Sequence, residues 1–116
     1  MKLLRSADRD WTEGKGYRKR PLVTERELGI EGSFIQEVMF HPGESVPLHY
    51  HERTKEVFIA LDRALFQING EQLVMEPEDV LICEPGDVHG NPVIERGFRI
   101  LVVKVGYDPE DTVWLG

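Results

Sequence analysis

Cysteine is almost missing from this chain. The single Cys83 cannot close an internal disulfide, so packing must hold the fold, and a reducing, cytoplasmic setting is the expectation. Long apolar runs are missing as well. None approaches the ~20 residues that span a bilayer as a helix, and the start M-K-L-L-R-S-A-D-R-D lacks the apolar centre of a secretory leader. Positive charge is scarce: 14 Lys and Arg against 21 Asp and Glu leave a formal charge of −7. That balance argues against nucleic acid and against anionic membrane surfaces, since both need a basic face. No stretch carries a compelling helical period. No phosphate loop, nucleophile elbow or Cys–His couple occurs, and there is no internal repeat, linker or low-complexity segment.

Turns and alternation are plentiful. Eleven glycines and seven prolines in 116 residues punctuate short β-rich segments, the pattern of an all-β domain. One domain over 1–116 is expected, with a barrel core over about 22–106 and a polar N-terminal arm over 1–21. Strands are expected at 22–24, 33–40, 45–51, 55–61, 64–68, 72–75, 80–83, 93–94 and 98–105. Asn69-Gly70 is the strongest hairpin signal. In K-E-V-F-I-A-L (55–61) the residues Glu56, Phe58 and Ala60 share one face and Val57, Ile59 and Leu61 the other. Both faces are apolar apart from Glu56, so the outer one needs cover. A second subunit is the expected cover and a homodimer the expected assembly; the alternative is cover by the chain's own N-terminal segment. The basic cluster Lys15 to Arg20 reads as a solvated arm, or more sharply as an anion-binding patch at the barrel mouth.

Four histidines are present, and three of them form a pattern. His49 and His51 are one residue apart, Glu56 follows five residues later, and His89 comes 38 residues after His51 at the end of P-G-D-V-H. On a strand, positions i and i+2 project to the same side, so both imidazoles enter one space. An isolated H-x-H pair is more often surface or satisfied core than a metal site. Two strand-spaced histidines with a nearby carboxylate and a distant histidine in a Pro-Gly turn favour a metal. His41 lies in a turn outside this spacing and reads as a surface residue.

The same residues resemble the two motifs of the cupins. Gly43, His49-x-His51 and Glu56 resemble the first motif; Glu78-Asp79 through Pro85-Gly86-Asp87-Val88-His89 resembles the second. The resemblance implies a double-stranded β-helix, or jelly-roll, barrel, with a metal held by His49, His51, Glu56 and His89. The sequence departs from the pattern at Arg63, where the first motif closes with Gly; at Glu78, where the second opens with Gly; at Glu84, where Pro is usual; and at Val93, where Asn is usual. None of these removes a ligand.

Three imidazoles and one carboxylate suit one divalent transition metal, with Fe, Mn, Ni, Co and Zn all acceptable, and leave room for a small-molecule ligand or substrate. The resemblance implies a metal-dependent enzyme with dioxygenase, decarboxylase or isomerase chemistry. The alternative is a non-catalytic module that binds a small molecule or uses the metal to stabilise the barrel. Tyr50, Glu84 and His41 are candidate acid–base groups, each with little to commend it, and Tyr50 should point away from the two histidines that flank it.

Overall fold

In the computed structural model, residues 1–116 are all described. Eleven strands follow in order: β1 (Thr12–Glu13), β2 (Arg18–Val23), β3 (Ser33–Phe40), β4 (Val46–His51), β5 (Lys55–Ala60), β6 (Ala64–Ile68), β7 (Glu71–Met75), β8 (Val80–Cys83), β9 (His89–Asn91), β10 (Phe98–Val105) and β11 (Thr112–Trp114). They form two antiparallel sheets, β1-β2-β3-β10-β5-β8 and β11-β4-β9-β6-β7, the two layers of the expected jelly-roll barrel. No helix is long and apolar enough to cross a membrane.

Side-chain parity builds the core. Along β10, the near-continuous apolar strand, Phe98, Ile100 and Val102 are 3%, 1% and 2% exposed, while Arg99 points outward. β10 is central, paired with β3 over eight residues and with β5 over six. On β5, Glu56, Phe58 and Ala60 are buried as the alternation requires. Phe40, Phe66 and Phe98 pack as tilted aromatic neighbours at the core's centre. The Asn69-Gly70 hairpin joins β6 to β7, with both central residues at positive φ (48° and 84°), as a tight primed turn needs.

Three local expectations change. The strand expected at 22–24 begins at Arg18, and Arg18 to Val23 pair with β3. The basic cluster is therefore not a solvated arm. Arg18 faces Glu44 at 3.2 Å and Arg20 faces Glu37 at 2.7 Å, while Lys15 lies over the Trp114 ring. A short helix, α1 (Glu25–Leu28), follows a capping box in which Thr24 and Glu27 bond reciprocally. The strand expected at 93–94 is absent. β9 ends at Asn91 because Pro92 has no N–H for the ladder. Ile94 instead exchanges hydrogen bonds with the turn at Gly43 and Glu44.

The departure at Glu78 leaves the turn intact. Glu78 takes the left-handed conformation itself (φ 75°) and its N–H donates to Ala60 O at 2.8 Å.

Candidate metal centre

The ligand strand β4 and the short β9 lie side by side, with His49 opposite His89. Gly90 allows this approach, since a Cβ there would stand 2.6 Å from Val46 O. Gly86, at φ 89°, turns the chain before β9, and its N–H donates to His51 O at 2.8 Å. Asn69 holds the same turn from the other side: its Oδ1 accepts from Val88 N–H and its Nδ2 donates to Asp87 Oδ1, each at 3.0 Å. Glu56 arrives from β5 in the facing sheet.

These placements bring His49, His51 and His89 together, with one nitrogen from each within 4.8 Å of the others. Each ring is oriented by a backbone carbonyl that accepts from its Nδ1–H: Pro47 O for His49 (2.9 Å), Asp111 O for His51 (2.9 Å) and Asp87 O for His89 (2.8 Å). A neutral imidazole that donates through Nδ1 keeps a lone pair on Nε2, so Nε2 is the atom each ring can present to a metal, and that of His89 is hydrogen-bonded to Glu56 Oε1. Glu56 Oε1 is 2.7 Å from His51 Nε2 and 3.2 Å from His89 Nε2.

His51 Nε2 is the telling atom. It is buried and has no hydrogen-bond partner, because Glu56 Oε1, although close enough for an ion pair, lies off the line that a hydrogen bond requires. A carboxylate oxygen at this distance needs positive charge beside it, which a proton on His51 or a bound cation supplies. Three clustered imidazole nitrogens, with the Glu56 carboxylate beside two of them, are a donor set that fits a divalent cation.

Burial, reinforced by the neighbouring His89, pulls His49 down to about 4, so it is neutral at pH 7. Burial also opposes a charge on His51, but Glu56 outweighs it and raises that pKa. Burial works against the Glu56 charge too, yet His51 and His89 hold its carboxyl below the usual range. The Cys83 thiol, 3.2 Å from His89 Nδ1, is pushed up to about 12 by burial and by Glu56, so it is no thiolate.

The centre opens on a cavity of about 90 Å³. Val38, Phe58, Phe66 and Ile100 form its apolar wall, and Trp114 stacks near His49 at 4.5 Å between ring centres. None of the expected acid–base groups lines it. His41 is exposed in its turn, bonded to Arg18; Glu84 pairs with Lys55 at the surface; Tyr50 points away, opposite Val113. Tyr17, Gln36 and Lys104 line it instead. Parity could have found two of them, since Gln36 continues the inward series of Val38 and Phe40, and Lys104 that of Ile100 and Val102.

A family model described as a cupin domain matches residues 36–103. The tetracenomycin polyketide synthase protein TcmJ of Streptomyces glaucescens is 29% identical over 76 residues, covering 65% of this chain and 51% of that protein. The chain thus spans about half the length of that relative. Among solved structures, the polyketide cyclase RemF of Streptomyces resistomycificus superposes with a TM-score of 0.79 at 23% identity, over 100% of this chain and 87% of the other. KdgF of Halomonas sp. gives 0.76 at 17%, over 95% and 97%. A predicted oxalate decarboxylase of Thermotoga maritima gives 0.75 at 19%, over 90% and 98%. At these identities the structural likeness establishes the fold alone.

Proposed function

Because the chain belongs to the cupin family, we propose that it is a metal-dependent enzyme acting on a small molecule, with His49, His51, His89 and Glu56 as the ligands of one divalent transition metal. The cluster of His49, His51 and His89, with the Glu56 carboxylate beside it, carries this reading. When bound there, a divalent cation supplies Lewis acidity, or redox chemistry if it is Fe or Mn. The protein's own contribution is orientation and dryness. Three carbonyls aim the imidazoles, and Phe58 and Phe66 exclude bulk water from the inner wall. Decarboxylation, isomerisation and oxygen-dependent cleavage all suit such a chamber. The names of the relatives, a polyketide cyclase and a predicted decarboxylase among them, support small-molecule chemistry without selecting one reaction.

Elemental analysis of untagged protein, followed by titration with Zn, Fe, Mn, Co and Ni, tests the reading. One equivalent per chain is expected, with a higher melting temperature for the loaded form. His49→Ala should weaken uptake by at least about tenfold while His41→Ala leaves it unchanged. Failure to bind any of these metals, or equal losses from both variants, would overturn the assignment.

We also infer that a second copy covers the outer face of β5 and β8. Val80 and Ile82 are 57% and 53% exposed there, and the N-terminal segment lies at the sheet's other edge, on β2. An apolar sheet edge of this kind suits an isologous dimer. A chain that sediments as a monomer at every concentration would refute it.

A further inference from the structure

The cavity has a second polar wall that the histidines do not use. Gln36 enters it from β3, Lys104 from β10 and Tyr17 from just before β2. Gln36 is only 7% exposed, yet its side-chain amide has no hydrogen-bond partner within the protein. The Lys104 ammonium has no carboxylate within ion-pair distance and lies 4.7 Å from the centre of the Tyr107 ring. The Tyr17 hydroxyl is also unpartnered, and burial, with a smaller contribution from Glu56, raises its pKa and keeps it a neutral donor. Gln36 is buried, Tyr17 and Lys104 are half-buried, and all three face one cavity. Polar groups so placed are usually satisfied, and what enters the cavity can supply a hydrogen-bond partner to each.

The chemistry of that partner follows from what the three can offer. An ammonium donates and cannot accept; an amide and a phenol can each donate as well. One negatively charged oxygen group can use all three, and charge-assisted bonds of this kind are about twice as strong as neutral ones. Glu56 is the cavity's only carboxylate, and a divalent cation at the histidines would more than cancel it, so an anion would enter a net positive chamber. The facing wall of Val38, Phe58 and Ile100 is apolar. The cavity is small, about 90 Å³, which suits a short chain.

We propose that Lys104, Gln36 and Tyr17 form a carboxylate-binding subsite, and that the substrate is a small carboxylic acid with a short apolar body, held with its other end toward the histidines. The inference rests on the reading of this cavity as a substrate chamber and names the substrate class.

Isobutyrate and isobutyramide have the same shape and differ in charge. Both would be titrated into the full-length chain by amide-resonance NMR, with and without zinc, after zinc content has been measured for the wild type, Lys104→Met and Gln36→Leu. Wild type should prefer the acid over the amide by about tenfold or more. Lys104→Met should abolish that preference and Gln36→Leu should reduce it about threefold, with zinc content unchanged in both. A wild type without preference, or a Lys104→Met variant that keeps it in full, would overturn the subsite. If Lys104→Met does not fold, Gln36→Leu and Tyr17→Phe decide, and an unaltered preference in both counts against it. A wild type that takes up neither zinc nor any of Fe, Mn, Co and Ni would sink the metal centre, while the titration without zinc would still judge the subsite on its own.

Discussion

Glu37 and Glu56 lie in the same sheet, on β3 and β5 with β10 between them, and their side chains are 5% and 7% exposed. Glu37 faces outward. Arg20 donates to its Oε1 through both Nε and Nη2, Arg99 reaches its Oε2 at 3.3 Å, and Arg20 in turn stacks on Trp11. Every lone pair it offers is directed at a permanent cation. Glu56 faces inward and meets only imidazoles, one of them with an orphaned nitrogen. Burial is therefore no mark of a site by itself. A buried carboxylate surrounded by guanidinium groups is closed, whereas one surrounded by imidazoles is balanced by groups that titrate and can exchange their proton for a metal.

The comparison breaks most sharply on exchange of the two. Glu56→Ala should lower metal affinity by about a hundredfold or more, the cost of a lost ligand, whereas Glu37→Ala should leave affinity at the wild-type value. Glu37→Ala should instead cost about 2–3 kcal/mol of stability in urea unfolding, since it strands Arg20 in a partly buried place, with the loss moderated by the half-exposed Arg99. Equal effects of the two variants on metal uptake would erase the distinction.

Asp111 tests whether a closed carboxylate can still serve the centre. Its side chain accepts from the N–H groups of Glu52, Arg53 and Thr54 and from the Thr54 hydroxyl, at 2.8 to 3.0 Å, while its own carbonyl orients His51. Asp111→Ala should cost about 2 kcal/mol and weaken metal binding about tenfold, measured by urea unfolding and by competition with a chelator. Loss of stability with unchanged affinity would place Asp111 with Glu37. The smallest effect is expected at Glu78, an exposed carboxylate whose backbone alone matters. Glu78→Gly should relieve the left-handed strain and raise stability by about 0.5–1 kcal/mol in the same unfolding assay, after the extra entropy of an unfolded glycine is allowed for. A destabilised variant would mean that the turn draws on the Glu78 side chain.

Much of this arrangement was legible in the residue order. Period-two parity placed Glu56, Phe58 and Ala60 inward and set His49 and His51 on one side, and Asn69-Gly70 marked its hairpin. Parity is a local property, and these features are local; that the distant His89 meets the pair came from the cupin resemblance. What escaped depends on partners distant in the chain. Arg18 to Val23 carries three basic residues and a proline, and becomes a strand because Glu37 and Glu44 receive its arginines. The capping box at Thr24 and Glu27 is a local signal that was overlooked. Lys104 was open to the same parity argument, since it continues the inward series of Ile100 and Val102.

The carbonyls that aim the three imidazoles are not equally far along the chain. His49 and His89 are each held by the residue two positions before them, whereas the anchor of His51 lies 60 positions away. The first two contacts close almost no loop; the third closes a long one and costs chain entropy accordingly. Two rings are anchored from within their own segments, and the third depends on the chain at Asp111 lying back beside β4. The aim of His51 is therefore tied to the edge strand of the five-stranded sheet, whereas the anchors of His49 and His89 are not.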